Sequence, residues 1–324
     1  MTYRVVLSDD KTVDSVHQTD ILETIGADIT TLEEKTQGAV AEAARTADAL
    51  IVDAATPVTA QVFEGADALR VVGRSGIGVD NIDVDAAADN DVTVVNVPTY
   101  SLDEVSTHAF ALLLACVRAV PQYDRAVKGG TWDWKTAQPL RRMADRTLGL
   151  VGFGSIARRL AAKLRTFGVD VIATDPYVGE ATMRDYGVEK VSFDALLDRV
   201  DSLSIHVPLY ADTRGLFSTA EFERLSNDCI VVNSARGPVV DEDALIEALD
   251  RGEIARAGLD VLETEPPAED NPLLERDDVV LTPHTAWYSE ESRKDLSAGV
   301  ASGVAAALRG EEPDGVIDPE TPWV

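Results

Sequence analysis

The sequence predicts an α/β protein of two parallel-sheet domains. Short runs rich in Val, Ile and Leu alternate with longer Ala-rich, helix-like segments, the pattern of a parallel sheet with covering helices. The alternation breaks once, at Pro98-Thr99-Tyr100, and then resumes as a second series. A length of 324 residues with 45% hydrophobic content suffices for two separate cores. The breaks divide the chain into residues 1–99 plus 288–324 and residues 100–287, with the last helix returning to the first domain.

The first series offers strands at Arg4–Leu7, Ala49–Val52, Leu69–Val72 and Val92–Val95, separated by helix-like stretches such as Val13–Ile25 and Gln37–Thr46. Ser101 to Lys128 then reads as one or two helices. Glu104 lies at capping-box spacing from Ser101, and Gly129-Gly130 ends the segment. The second series has strands at Leu148–Val151, Val171–Ala173, Ser202–Val207, Ile230–Asn233, Ala257–Leu259 and Val279–Leu281. Among its helices are Ile156–Phe167 and Glu242–Arg251, and Ser289–Leu308 closes the chain before a loop-like tail, Pro313–Val324.

The formal net charge is −28, and Lys is scarce beside Arg. Such a surface repels phosphate backbones and anionic lipid, which argues against nucleic-acid and membrane partners. High acid with few Lys and few aromatics suits a salt-rich cytoplasm, because at ~1 M salt the Debye length falls to about 3 Å and self-repulsion is screened. The melting temperature is therefore expected to rise with KCl; a flat salt series would refute this. Cys116 and Cys229 sit in apolar runs and read as buried thiols of a reducing compartment, and no spacing suggests a metal site. Met1–Val5 enters a strand directly without a signal-peptide layout, so the expectation is a soluble, cytoplasmic protein.

After the strand-like Leu148–Val151 comes Gly152-Phe153-Gly154-Ser155-Ile156-Ala157, then a helix-like segment. This G-x-G-x-x-A loop permits a tight turn, close approach of backbone to a pyrophosphate, and close packing of helix on strand. The helix N-terminus offers free N–H groups and a positive dipole end. Roughly 20 residues on, after the next strand, stands Asp175, placed to accept from ribose hydroxyls and to repel a 2′-phosphate. NAD is thereby favoured over NADP. Asp175 alone could equally be a turn acid before Pro176, and a methyltransferase could use a similar loop, so the remaining motifs must decide.

Three further segments each open at the C-terminal end of an expected strand, where open α/β sheets bind ligands. They are Asn233-Ser234-Ala235-Arg236-Gly237-Pro238, Asp260-Val261-Leu262-Glu263-Thr264-Glu265-Pro266, and Thr282-Pro283-His284-Thr285-Ala286-Trp287. Taken singly, Glu265 reads as a solvated loop acid, Arg236 as a cap or surface cation and His284 as structural. His17 reads as a surface residue, and His108 falls in a helix start.

Together with Gly73-Arg74-Ser75-Gly76-Ile77-Gly78-Val79-Asp80, these motifs make the chain resemble the D-isomer-specific 2-hydroxyacid dehydrogenase family over nearly its whole length. Asp175-Pro176-Tyr177 and His284–Glu290 are most similar to its C-terminal-binding-protein and phosphoglycerate-dehydrogenase-like branches. The resemblance implies a flavodoxin-like substrate domain, a Rossmann NAD-binding domain and a homodimer. It also implies a small 2-keto or 2-hydroxy acid as substrate. His284 would be the acid/base. Glu265 would pair with it, favouring the charged imidazole. Arg236 would grip the substrate through its planar fork.

The same resemblance gives the cofactor Gly152 to Ala157, Asp175, His206, Val207, Pro208, Ser234, Ala235, Arg236, Asp260, His284 and Ile77, with Asp260 orienting the carboxamide. The substrate would meet Arg74, the backbone of Ser75, Gly76 and Ile77, Arg236 and His284. Trp287 would wall the pocket or pack between domains. Hydride transfer to a ketone builds negative charge on oxygen, which calls for a proton donor and a cation and no metal.

Two departures weigh against 3-phosphoglycerate as substrate. Phosphoglycerate dehydrogenases commonly carry Arg after the third strand, where this chain has Asp53, and the chain stops at Val324 without a regulatory domain. Many relatives have Thr where Ala109 stands, removing one hydroxyl near the cofactor. A second class stays open at this point: an NAD-responsive, corepressor-like binding module with little turnover. An intact Arg236, Glu265 and His284 favours the enzyme.

Overall fold

The computed structural model describes residues 2–8 and 15–321. In chain order it runs β1 (Tyr3–Leu7), α1 (Ser15–Glu23), β2 (Ala27–Thr31), α2 (Gln37–Ala44), β3 (Ala49–Val52), α3 (Ala60–Phe63), β4 (Val71–Arg74), α4 (Val84–Asp89) and β5 (Thr93–Val95). Then follow α5 (Leu102–Arg118), α6 (Val120–Lys128), β6 (Thr147–Val151), α7 (Ser155–Leu164), β7 (Asp170–Thr174), α8 (Glu180–Asp185), β8 (Glu189–Lys190), α9 (Phe193–Leu197) and β9 (Ser202–Ile205). The chain ends with α10 (Thr219–Phe222), β10 (Ile230–Asn233), α11 (Glu242–Arg251), β11 (Arg256–Leu259), β12 (Val279–Leu281) and α12 (Glu290–Arg309). Residues 13–14 of the expected first helix, and 322–324 of the expected tail, lie outside the described residues.

Two compact units result: Met1–Ser101 with Tyr288–Val324, and Leu102–Trp287. The first holds a five-stranded sheet, β2-β1-β3-β4-β5, with every pairing parallel. This is the flavodoxin-like strand order. The second holds a seven-stranded parallel sheet, β12-β11-β10-β9-β6-β7-β8, the doubly wound Rossmann order extended by one strand. Its order reverses between β6 and β9, where Val151 pairs with Ile205. In open sheets of this kind the ligand crevice opens at that switch point.

Helices cover both faces of the larger sheet, so its central strands are buried on both sides and read as unbroken apolar runs. β10 is buried at every residue. One cluster packs Leu203, Phe217, Phe222, Val231 and Leu245 on one face; another packs Leu112, Leu113, Leu148, Leu160 and Val232 on the other. Cys116 and Cys229 lie in these clusters, where burial pushes both thiols up to about 12 and keeps them protonated.

Two local expectations change, and one open alternative is decided. The edge strands β2 and β8 are additional to the expected set. β2 is only partly buried and lacks a clear apolar run, and β8 is two residues long. Ser101 to Lys128 is two helices, bent by 60° where Ala119 takes a left-handed φ of 49°. The expected capping box is not formed: the Ser101 hydroxyl is buried without a hydrogen-bond partner. Among the described residues no single helix is long and apolar enough to cross a membrane, and no group of three His, Cys, Asp or Glu is placed to hold a metal ion.

Candidate active site

In the second unit, β6 delivers the glycine loop to the switch point. Gly152 has φ +88°, and a Cβ there would lie 2.6 Å from the His206 carbonyl oxygen at the end of β9, so only glycine fits. A Cβ on Gly154 would meet nothing within 4 Å. Gly154 precedes α7 without any side-chain cap, and Gly154 and Ser155 are exposed, so the amides of the first helical turn face open space. The Ser234 hydroxyl, just past β10, is buried and has no hydrogen-bond partner among the described residues. An uncapped helix start, a Cβ-free cradle and an orphaned hydroxyl fit a dinucleotide.

The loop residues divide their work. Phe153 and Ala157 are fully buried core residues, and the Phe153 amide donates to Asp175 Oδ2 at 2.8 Å. Those two shape the loop, and Gly154, Ser155 and Ile156 are exposed or half-buried at the helix start. Asp175 also accepts from the amides of Tyr177 (2.8 Å) and Val178 (3.1 Å). A carboxylate has about four acceptor sites, so roughly one is left for a ribose hydroxyl. The turn reading and the ribose reading of Asp175 are thus compatible. His206 sets its Nε2 2.9 Å from Ser204 Oγ, and desolvation pushes its pKa down to about 4, so the ring is neutral. Val207 follows, its Cγ1 3.0 Å from where a Cβ on Gly152 would stand, and the Pro208 carbonyl accepts from Thr213 Oγ1 at 2.6 Å.

Three adjacent strands, β10, β11 and β12, lead into the loops that bear Arg236, Glu265 and His284. Beyond β10, the buried Asn233 brackets its loop: Oδ1 accepts from the Ala235 amide (3.0 Å) and Nδ2 donates to the Arg236 carbonyl (2.9 Å). Arg236 Nη1 donates to the Ala235 carbonyl at 2.8 Å. A Cβ on Gly237 would overlap the Leu262 carbonyl, so the Arg236 loop lies directly against the loop that carries Glu265.

His284 follows β12 with a left-handed φ of 49°, an uncommon conformation for a side-chain-bearing residue. Its amide donates to the Asp260 carbonyl (2.7 Å), and its own carbonyl accepts from Trp287 Nε1 (3.1 Å). Trp287 thereby braces the histidine's backbone. His284 Nδ1 lies 2.7 Å from Glu265 Oε2; the two side chains are 32% and 35% exposed. Glu265 Oε1 accepts from the Leu262 amide at 3.0 Å. Burial pushes the Glu265 carboxyl up, but the bond to His284 and its charge, the Leu262 amide and the nearby Arg236 together hold it below the usual carboxylate range. Among the described residues His284 Nε2 has no hydrogen-bond partner.

Asp260, expected to meet a carboxamide, also organises the loop after β12. Its carboxylate is 1% exposed and is committed to the His284 loop, accepting from Thr282 Oγ1 (2.6 Å) and the amides of Thr285 (2.9 Å) and Ala286 (2.8 Å). The loop folds back over it. His108, on α5, reaches Thr282 Oγ1 at 2.9 Å. The sequence reading left His108 without a role, because nothing in a helix start signals a contact 174 residues away.

The remaining expected site residues belong to the first unit. The Ser75 amide donates to the Val52 carbonyl and the Gly76 amide to the Arg74 carbonyl, while Arg74 is buried and donates to the Ser75 carbonyl at 2.7 Å. Strand pairing and the turn thus use the Ser75 and Gly76 amides, whereas among the described residues the Ile77 amide has no backbone partner.

The family model of the D-isomer specific 2-hydroxyacid dehydrogenase, NAD binding domain, matches residues 110–286. The chain belongs to that family. Residues 110–286 accordingly form its NAD-binding domain. The chain is 40% identical over 263 residues to a D-3-phosphoglycerate dehydrogenase of Archaeoglobus fulgidus, covering 81% of this chain and 50% of that one. It is 38% identical over 299 residues to that of Methanocaldococcus jannaschii, covering 92% and 56%. It spans about half the length of these relatives. Among solved structures, a glyoxylate reductase from Paecilomyes thermophila matches with TM-score 0.89 at 26% identity, covering 98% of this chain and 99% of that one. A D-lactate dehydrogenase from Aquifex aeolicus, complexed with NAD and lactic acid, matches with TM-score 0.85 at 27% identity, covering 95% and 96%.

Proposed function

We propose that the chain is an NAD-dependent oxidoreductase that interconverts a small D-2-hydroxy acid and its 2-keto acid, with His284 as the acid/base. The observation that carries this is the 2.7 Å pairing of His284 Nδ1 with Glu265, a carboxylate that also feels the nearby Arg236, while Nε2 has no hydrogen-bond partner among the described residues. Bound at the glycine loop, NAD supplies or accepts the hydride. The α7 amides and the Ser234 hydroxyl hold it, and the remaining acceptor site of Asp175 takes a ribose hydroxyl. Nε2 of His284 gives a proton to the substrate oxygen during reduction and takes it back during oxidation. Glu265 steadies the positive charge on the imidazole when it holds that proton. Arg236 binds the substrate carboxylate and favours charge building on the neighbouring oxygen.

The relatives named for 3-phosphoglycerate do not fix the substrate of this chain. Asp53, after β3, lies 2.5 Å from Lys35 Nζ and 2.6 Å from Thr56 Oγ1, so the acid is held in an internal pair where phosphate binders carry a cation. This supports an unphosphorylated substrate. Purified chain in molar KCl, assayed with NADH against a panel of 2-keto acids, should reduce glyoxylate or hydroxypyruvate with a higher kcat/KM than the phosphorylated three-carbon keto acid. No turnover across the panel would reject the enzyme and favour an NAD-responsive binding module.

A homodimer is proposed on separate grounds. Trp132 and Trp134 are 89% and 71% exposed, and Val120 and Val127 of the preceding α6 are exposed with them. Large apolar side chains exposed on one helix and the loop that follows it suit an interface. Light scattering in molar KCl should give twice the chain mass; a monomer would remove the proposal.

A further inference from the structure

We propose that His108 is a positioning residue, which holds the catalytic His284 loop in its working shape through Thr282 and Asp260. The inference rests on the dehydrogenase reading of the same site. Thr282 Oγ1 donates its single proton to the Asp260 carboxylate at 2.6 Å, and a carboxylate only accepts. The Thr282 oxygen is then the acceptor for His108 Nε2 at 2.9 Å, so that nitrogen carries the proton. Hydrogen bonds in a row polarise one another, and each strengthens the next. The row therefore runs from α5 through Thr282 into a carboxylate only 1% exposed, with His108 Nε2 also 3.5 Å from its Oδ1.

At its far end the row meets the loop itself. Asp260 takes the Thr285 and Ala286 amides on its two oxygens and the His284 amide on its backbone carbonyl. Residues 282, 284, 285 and 286 are thus all fastened to one residue. That matters because His284 is held at φ +49°, a conformation that persists only where the surroundings over-determine it. Without the fastening, residue 284 relaxes toward ordinary backbone and its ring leaves Glu265. His108 supplies the one donor in this set that comes from outside the strand ends, and it ties the loop to a 17-residue helix packed on β10 and β11.

The test compares His108→Ala, His108→Gln and Thr282→Val in the full chain in molar KCl. His108→Ala and Thr282→Val should each lower kcat about tenfold, with NADH affinity within about twofold of wild type. Each should also speed amide hydrogen exchange at Thr285 and Ala286 by about tenfold, the effect of losing one typical hydrogen bond. His108→Gln, which keeps an N–H near the same place, should recover most of both losses. The double variant His108→Ala/Thr282→Val should be no worse than Thr282→Val, since both cut one row. Unchanged exchange at Thr285 and Ala286 in His108→Ala would overturn the proposal, as would failure of His108→Gln to recover exchange, or losses that multiply in the double variant. The exchange readout needs no turnover, so an inactive wild type would reject the dehydrogenase reading and still leave the relay decided.

Discussion

Replacing His284 by Gln is expected to lower kcat about a thousand-fold while leaving NADH affinity within about twofold, because a general acid contributes roughly 10²–10⁴ to such a rate. The amide of Gln keeps a hydrogen-bonding group toward Glu265 but cannot deliver a proton. Stopped-flow or steady-state reduction of the best 2-keto acid, beside NADH fluorescence titration, separates the two effects. A loss under tenfold would show that another group moves the proton. Glu265→Gln should cost less, since the proton donor survives and only its support is weakened.

The pH dependence of folding follows from the same pair. The folded Glu265 carboxyl lies below its ordinary value, so its pairing with His284 contributes stability above the unfolded value. That contribution is lost as pH falls from about 4.3 through the folded value. Glu265→Gln should flatten this limb by lowering stability near neutrality, the two curves converging in acid where the wild-type carboxyl is protonated.

The second large effect is expected from Gly237→Ala. A Cβ at this position would overlap the carbon and oxygen of the Leu262 carbonyl and come within 2.6 Å of the Glu263 amide nitrogen. The obstacle is backbone, which cannot step aside as a flexible side chain can. The Arg236 loop and the Glu265 loop must separate, at a cost of about 3 kcal/mol for an overpacked site. For a unit of this size, that corresponds to a fall in Tm of roughly 6–12 °C. Displacing Arg236 from Glu265 and His284 by about 1 Å should lower kcat/KM by about a hundred-fold or more. Gly154→Ala is the contrasting variant, since a Cβ there meets no protein atom within 4 Å. It should melt like wild type and weaken NADH binding, because the added methyl stands where the pyrophosphate approaches the backbone. If Gly237→Ala melted and turned over like wild type, the close apposition of the two loops would be wrong.

The sequence by itself determined the layered α/β class, most strand positions and the three strand-end segments that bear Arg236, Glu265 and His284. The reason is physical: a strand buried on both faces must be apolar throughout, and a ligand loop must follow its C-terminal end, so both leave marks in consecutive residues. β2 escaped because it is only partly buried, and β8 because it is two residues long. Tertiary structure alone decided which amides are spent, as at Ser75 and Phe153, since their hydrogen-bond partners come from separate segments of the chain. It also decided that Asp260 serves the His284 loop, and that His108 reaches Thr282 across 174 positions. Spacing along a chain encodes faces and turns; which buried donor meets which acceptor is settled only when separate strands and helices pack.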